Sequence, residues 1–284
     1  PKDPTRRLLK LTPNAMKLLV KLRPGLSHLF VGLLLVSVIL SCQKELKFDK
    51  KPGSHNLVLR FKPIIQYDTN TMILGQSYLN FFNEEFTPTA FKFYIHGVEL
   101  INEDSNKVFR IPSGQHFLID FADSTSTEVK VSILPYTYNK MEFVVGVDSA
   151  SNVAPTPPTG GSLDPANGMY WDATRGYIMA KLEGTSSSSS ESGGKFAFHI
   201  GGFTGANNVL RPIALYFPFG QLLDLKPGQT TVLEITVDAF DWFYNPHDIR
   251  LNTNPIITSE GLLATRVAEN YTKMFTLDTV LNNQ

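Results

Sequence analysis

The chain has 284 residues, 26 of them basic and 26 acidic, for a formal net charge of zero and 42% apolar content. That balance excludes the basic stripe that nucleic-acid binding calls for, and the length and apolar content suit a chain that buries a sizeable core. The charge is unevenly spread: residues 1–41 hold seven Lys/Arg and one Asp, leaving 19 basic against 25 acidic residues beyond them, a net of −6 that attracts cations weakly.

Residues 1–42 read as a secretory signal with Met16 as its start. Lys17, Lys21 and Arg23 form a basic region, and Leu29 to Leu40 an apolar one. At about 12 residues that run is too short for a spanning helix, which needs about 20. It ends in Ile39-Leu40-Ser41-Cys42, a bacterial lipobox pattern in which the cysteine receives a diacylglycerol. Cys42 is the chain's single cysteine, so no internal disulfide forms. A multiply acylated Cys42 would hold the protein stably on a membrane, expected to be the outer one, with the domain in the periplasm or at the cell surface. Residues 43–55 are polar and lysine-rich and read as a flexible tether. The domain would then occupy residues 56–284.

Within that domain the segments are short, β-branched and aromatic, divided by turn residues. Strands are expected at 56–65, 91–101, 108–111, 117–121, 128–134, 141–147, 177–183, 195–200, 213–217 and 231–237. One helix is expected at 260–271, where Leu263, Val267 and Tyr271 repeat at helical spacing. The fold expected is all-β, an antiparallel β-sandwich with long loops and at most one short C-terminal helix. The PTPPTGG segment at 155–161 reads as a stiff exposed loop, and the serine tract at 186–194 as a polar hairpin loop. Between and around them, glycines at 146, 168, 176, 184, 201 and 202 mark tight turns and close backbone approaches.

Catalytic signatures are missing. There is no GxSxG, no HExxH and no phosphate-cradling GxxxxGK[ST], and the domain carries no cysteine nucleophile, so the chain is expected not to be an enzyme. His96 and His199 each sit mid-strand, opposite flanking aromatics. Two imidazoles on equivalent faces could converge on copper or zinc if their strands neighbour, although a strand histidine is more often a hydrogen-bonding residue. His116 has no special neighbour in sequence, and His247 could cap a loop. Asp148 and Asp164 read as turn formers, with a Ca²⁺ site the sharper alternative. Trp171 reads as core or as lining a site. A metal-free reading instead makes Tyr136, Tyr138, Trp242 and Phe243 a contact face for a glycan or protein.

The motifs VLRFKPII, FKFYIHGVEL, FLIDF, EFVVGVDS, LDPANGMYWDATRGY, KLEG and FHIGG occur in this order over most of the domain. Together they resemble the MbnP-like family of bacterial envelope proteins. The resemblance implies a β-sandwich that binds copper through histidines and a tryptophan oxidised to kynurenine by a di-haem, peroxidase-like partner. It carries the metal-ligand role to His96 and His199 and the modified or site-lining role to Trp171. Relatives often show a second aromatic two places after that tryptophan, where this chain has Ala173.

Overall fold

A computed structural model describes residues 56–65, 71–154, 156–223, 225–226 and 228–282. The signal, Cys42 and the tether lie outside the described residues. Among the described residues, 14 strands form two sheets. The smaller is built from β1 (Asn56–Ile64), β6 (Glu128–Ser132), β12 (Thr230–Asp238) and β14 (Phe275–Leu281), in the order β14-β12-β1-β6. The larger has the path β11-β7-β3-β9-β10-β13, where β3 is Glu85–Asn102, β7 Lys140–Val145, β9 Gly176–Thr185, β10 Lys195–Gly201, β11 Arg211–Tyr216 and β13 Ile256–Ile257. The short strands β2 (Tyr78–Leu79), β4 (Lys107–Arg110), β5 (His116–Asp120) and β8 (Tyr170–Asp172) attach to β3 and β9.

The all-β sandwich expected from the alternating segments is the fold found, with two departures. Pairing is not wholly antiparallel, because β1 runs parallel to β12 and β10 parallel to β13. The second is in the small strands β2, β8 and β13 and the edge strand β14, which the residue pattern had not marked. Among the described residues two α-helical segments occur: the single turn α1 (Ser149–Asn152) and α2 (Leu262–Asn270), inside the 260–271 segment where a helix is expected.

The core is aromatic. Phe61 and Phe275 come from the smaller sheet, Phe93 and Phe143 from the larger, and they meet edge-on at centroid distances of 5.1 to 6.4 Å. Such edge-to-face pairs lock the two layers in register beyond their area alone. β3 is the organising strand. Its 18 residues are long enough to pair first with β9 and then with β7 on one side, and with β5 and then β4 on the other. Pro88 lies inside it, tolerated because the pairing with β9 shifts between Pro88 and Ala90.

The outer face of the larger sheet is covered as well. Tyr94 is on that face yet fully buried, because the 156–168 segment is laid across it. The Tyr94 hydroxyl donates to Ser162 O (2.9 Å), the Tyr177 hydroxyl to Leu163 O (2.9 Å), and the Lys181 ammonium to Gly168 O (2.6 Å). The loop containing the PTPPTGG motif is thus fastened to the sheet through polar tips of buried aromatics. The serine tract does close the β9–β10 hairpin, but Ser186 within it is buried, its hydroxyl donating to Glu85 O at 2.5 Å.

Candidate functional site

The histidine that His96 meets is His116, not His199. His96 on β3 and His116 on β5 are direct cross-strand partners. Their ring centroids are 5.6 Å apart, with planes inclined at 40°. The Nδ1 of His96 is 2.9 Å from Gly146 O. A carbonyl only accepts, so Nδ1 carries the proton, and in the neutral ring Nε2 keeps a bare lone pair. Burial pushes the His96 imidazole below its ordinary value and the neighbouring His116 adds to this, against the Gly146 bond and the Asp148 charge. The neutral ring, the form that ligates metals, is therefore favoured.

His116 is held from its other side. Its side chain is 1% exposed and its Nε2 is 2.6 Å from Asp148 Oδ2. The Nδ1 atom is buried with no hydrogen-bond partner. Buried polar atoms are rarely left so, and each such case asks for an explanation. Asp148 is also the N-cap of α1, accepting from the Ser151 N–H (3.0 Å) and the Ser151 hydroxyl (2.9 Å). Burial raises its carboxyl, but the bonds from Ser151 and His116 outweigh that and hold it below the usual carboxylate value. The carboxylate stays ionised and fixes the proton of His116 on Nε2. Gly146 completes the arrangement: with φ at +122°, a β-carbon there would meet Leu210 Cδ2 at 2.5 Å and Met179 Sδ at 3.2 Å.

His199 sits elsewhere on the same face. It is level with Lys181 on β9, which is level with Lys92 on β3, four residues short of His96. Strand rise and spacing put the two histidines about 16 Å apart. The expected convergence of His96 with His199 is corrected on this point, because β9 lies between their strands. The His199 Nε2 is engaged with the Glu183 carboxylate, and that bond, with Lys181 close by, holds Glu183 below the ordinary glutamate value in spite of burial. Trp171 is brought near His199: a β-carbon at Gly201, two residues along β10, would touch the Trp171 ring at 2.5 Å. Arg175 lies over the same ring, 5.2 Å from its centroid.

The remaining sequence candidates resolve as follows. Asp164 caps a short 3₁₀ turn, accepting from Gly160 N and Ala166 N, as a turn former would. Among the described residues, no three His, Cys, Asp or Glu side chains cluster to hold a metal, which gives no support to a Ca²⁺ site at Asp148 and Asp164. His247 binds the Glu269 carboxylate at 2.5 Å. Of the supposed contact face, Tyr138, Trp242 and Phe243 are fully buried. They pack in the core because their large apolar area outweighs the polar tips of the tyrosine and the tryptophan. The sequence offered no local signal for His116, whose role comes from register with a strand about 20 residues earlier.

This β-rich scaffold, with its histidine pair, its helix-capping aspartate and its tryptophan, lies within a family match. The MbnP family model matches residues 54–259, and the chain belongs to the MbnP family, one associated with copper-related function. The solved structure of MbnP from Methylosinus trichosporium is similar over 68% of this chain and 78% of that one, at 16% identity and a TM-score of 0.47. No curated protein matches.

Proposed function

We propose that this MbnP-family domain is a non-catalytic copper-binding module of the bacterial envelope, anchored through an acylated Cys42 and serving copper acquisition or handling. The observation that carries the reading is the bare, buried Nδ1 of His116 beside His96. Each ring donates one N–H to an oxygen, Gly146 O or Asp148, which is the usual outer support of a metal-bound imidazole. That leaves one unprotonated nitrogen per ring. Two imidazoles on one ion, with bonds of about 2 Å, have centroids no more than roughly 6 Å apart, and 5.6 Å falls inside that span. Imidazole suits copper, and monovalent copper accepts two nitrogen donors. His96 and His116 would hold the ion. The family's tryptophan chemistry would fall to Trp171 near His199, with a di-haem peroxidase-like protein as the partner that oxidises it.

The test is copper titration under reducing conditions of the chain lacking residues 1–42. His96→Ala combined with His116→Ala should abolish tight binding, and His199→Ala should leave it. Loss with His199→Ala alone, with the double variant unaffected, would move the site to the Trp171 side. Intact-mass spectrometry of the native protein reads the lipid on Cys42 and any oxidation of Trp171.

A second reading, a metal-free module for a glycan or protein, draws on one exposed pair. Phe81 and Tyr244 stack in parallel at 3.7 Å, and Arg250 lies over the adjacent Phe82 at 3.8 Å. Glycan-array binding that vanishes with Phe81→Ala and Tyr244→Ala, in a protein that takes up no copper, would favour it.

A further inference from the structure

The stretch between β11 and β12 contains the most exposed large apolar side chain of the described residues. Phe219 is fully exposed, with Tyr216 at 62% and Leu222 at 46%. From Leu215 to Leu223 the sequence carries no charge. The Lys140 ammonium lies over the Tyr216 ring at 5.0 Å, but a solvent-facing loop tip is normally polar, and an uncharged tip led by a fully exposed Phe219 marks a contact surface.

The loop is not loose at its base. Leu223 N donates to Tyr138 O (3.1 Å), Val280 N to the Gln221 side chain (2.9 Å), and the Asn282 side chain to Leu222 O (3.0 Å). The segment just before β7 and the end of β14 therefore hold it, and Phe219 projects from a fixed platform.

Its place in the fold identifies what it meets. β12 begins at Thr230, in register with Asn56, the first residue of β1. The end of β14, beside which Leu222 is bound, is two strands from β1 in the same sheet. The apolar tip and the start of the domain thus lie at one end of the sandwich. The Phe81–Tyr244 pair lies at the other, just past Ile64 and Asp238, where the β1–β12 pairing stops. Thirteen residues separate Cys42 from Asn56. An acyl chain on Cys42 would therefore enter the bilayer only 13 residues of chain from this end of the domain.

We propose that the Tyr216–Leu222 tip is a membrane-docking element whose exposed Phe219 and Leu222 side chains enter the lipid interface beside the acylated Cys42. This rests on the lipoprotein reading given above. Phe and Tyr are at home at the headgroup level, so a second apolar contact adds to the anchorage that an acylated Cys42 supplies. Docking would also fix the domain's orientation, turning the Phe81–Tyr244 end toward the aqueous side.

The experiment uses the full chain produced in bacterial membranes and reconstituted in phosphatidylethanolamine–phosphatidylglycerol vesicles with brominated acyl chains. Phe219→Trp places a fluorophore at the tip, and Tyr244→Trp places one at the far end. Bromine should quench the Phe219→Trp emission by about half while leaving the Tyr244→Trp increment untouched. Equal quenching of the two would overturn the proposal. Intact mass of the same sample reads Cys42 separately. If no diacylglycerol is found the lipoprotein reading fails, and cosedimentation of the unacylated chain with the same vesicles then decides the tip alone. Phe219→Asp should lower that partitioning roughly tenfold, from the apolar area withdrawn, and an unchanged partition would end the idea.

Discussion

Asp148→Asn tests the proposed metal site apart from the fold. Asparagine caps a helix about as well as aspartate, so α1 should keep its bond from Ser151 and the global stability should move by less than about 1 kcal/mol. What the change removes is the charge that the Asp148 carboxylate sets against His116 Nε2 at 2.6 Å. Loss of such an outer partner typically weakens a metal site 10- to 100-fold, equivalent to about 1.4–2.8 kcal/mol of binding. Competition for Cu(I) against a chromophoric chelator measures this directly, and urea unfolding of the metal-free variant checks that the fold is intact. If affinity is unchanged while the fold is preserved, Asp148 does not support a metal through His116 and the site argument loses its basis. If affinity falls only in step with stability, the aspartate is merely a cap.

Further expectations concern the scaffold. Phe143→Ala, which empties a fully buried site against Phe61 and Phe275, should cost about 3–5 kcal/mol in urea unfolding. Gly201→Ala should cost about 1–3 kcal/mol by overpacking and shift the Trp171 emission, since the new methyl meets that ring at 2.5 Å. Asp278 has its carboxyl raised above the ordinary 3.8, first by burial and also by Glu234. A raised acid binds protons more tightly folded than unfolded, so the parent loses stability as pH rises from about 3.8 through the folded value. Asp278→Asn should therefore gain on the parent at pH 7 and show no gain at pH 3, by urea midpoints at the two pH values.

The strands were legible because their sequences alternate over enough residues to fix a face, as FKFYIHGVEL does in β3. β14 was not, since clear alternation in FTLDTVL is confined to Phe275 and Leu277, after which the strand is evenly half-buried. β13 has two residues and owes its existence to β10. The common face of His96 and His199 followed correctly from period-2 geometry, but their separation depends on β9 lying between, which is a fact of strand order. The His96–His116 pair depends on register across the β4 excursion, and no spacing rule reports it. Tyr138, Trp242 and Phe243 were read as a possible contact face because they carry polar or large rings near turns. Their burial is decided by what packs over them, and composition is silent on that.

The parallel pairing of β1 with β12 joins residues about 175 positions apart. Closing so long a loop is entropically slow, and the contacts that reward it come only at the end. During synthesis β1 emerges early and has β6 as its only neighbour until most of the polypeptide has followed. The smaller layer therefore cannot assemble on a partial product, and a chain cut before residue 230 would leave the edge of β1 that β12 covers unpaired. Quality control would recognise such a fragment by its stranded first segment, and a holding chaperone would be expected to engage there first.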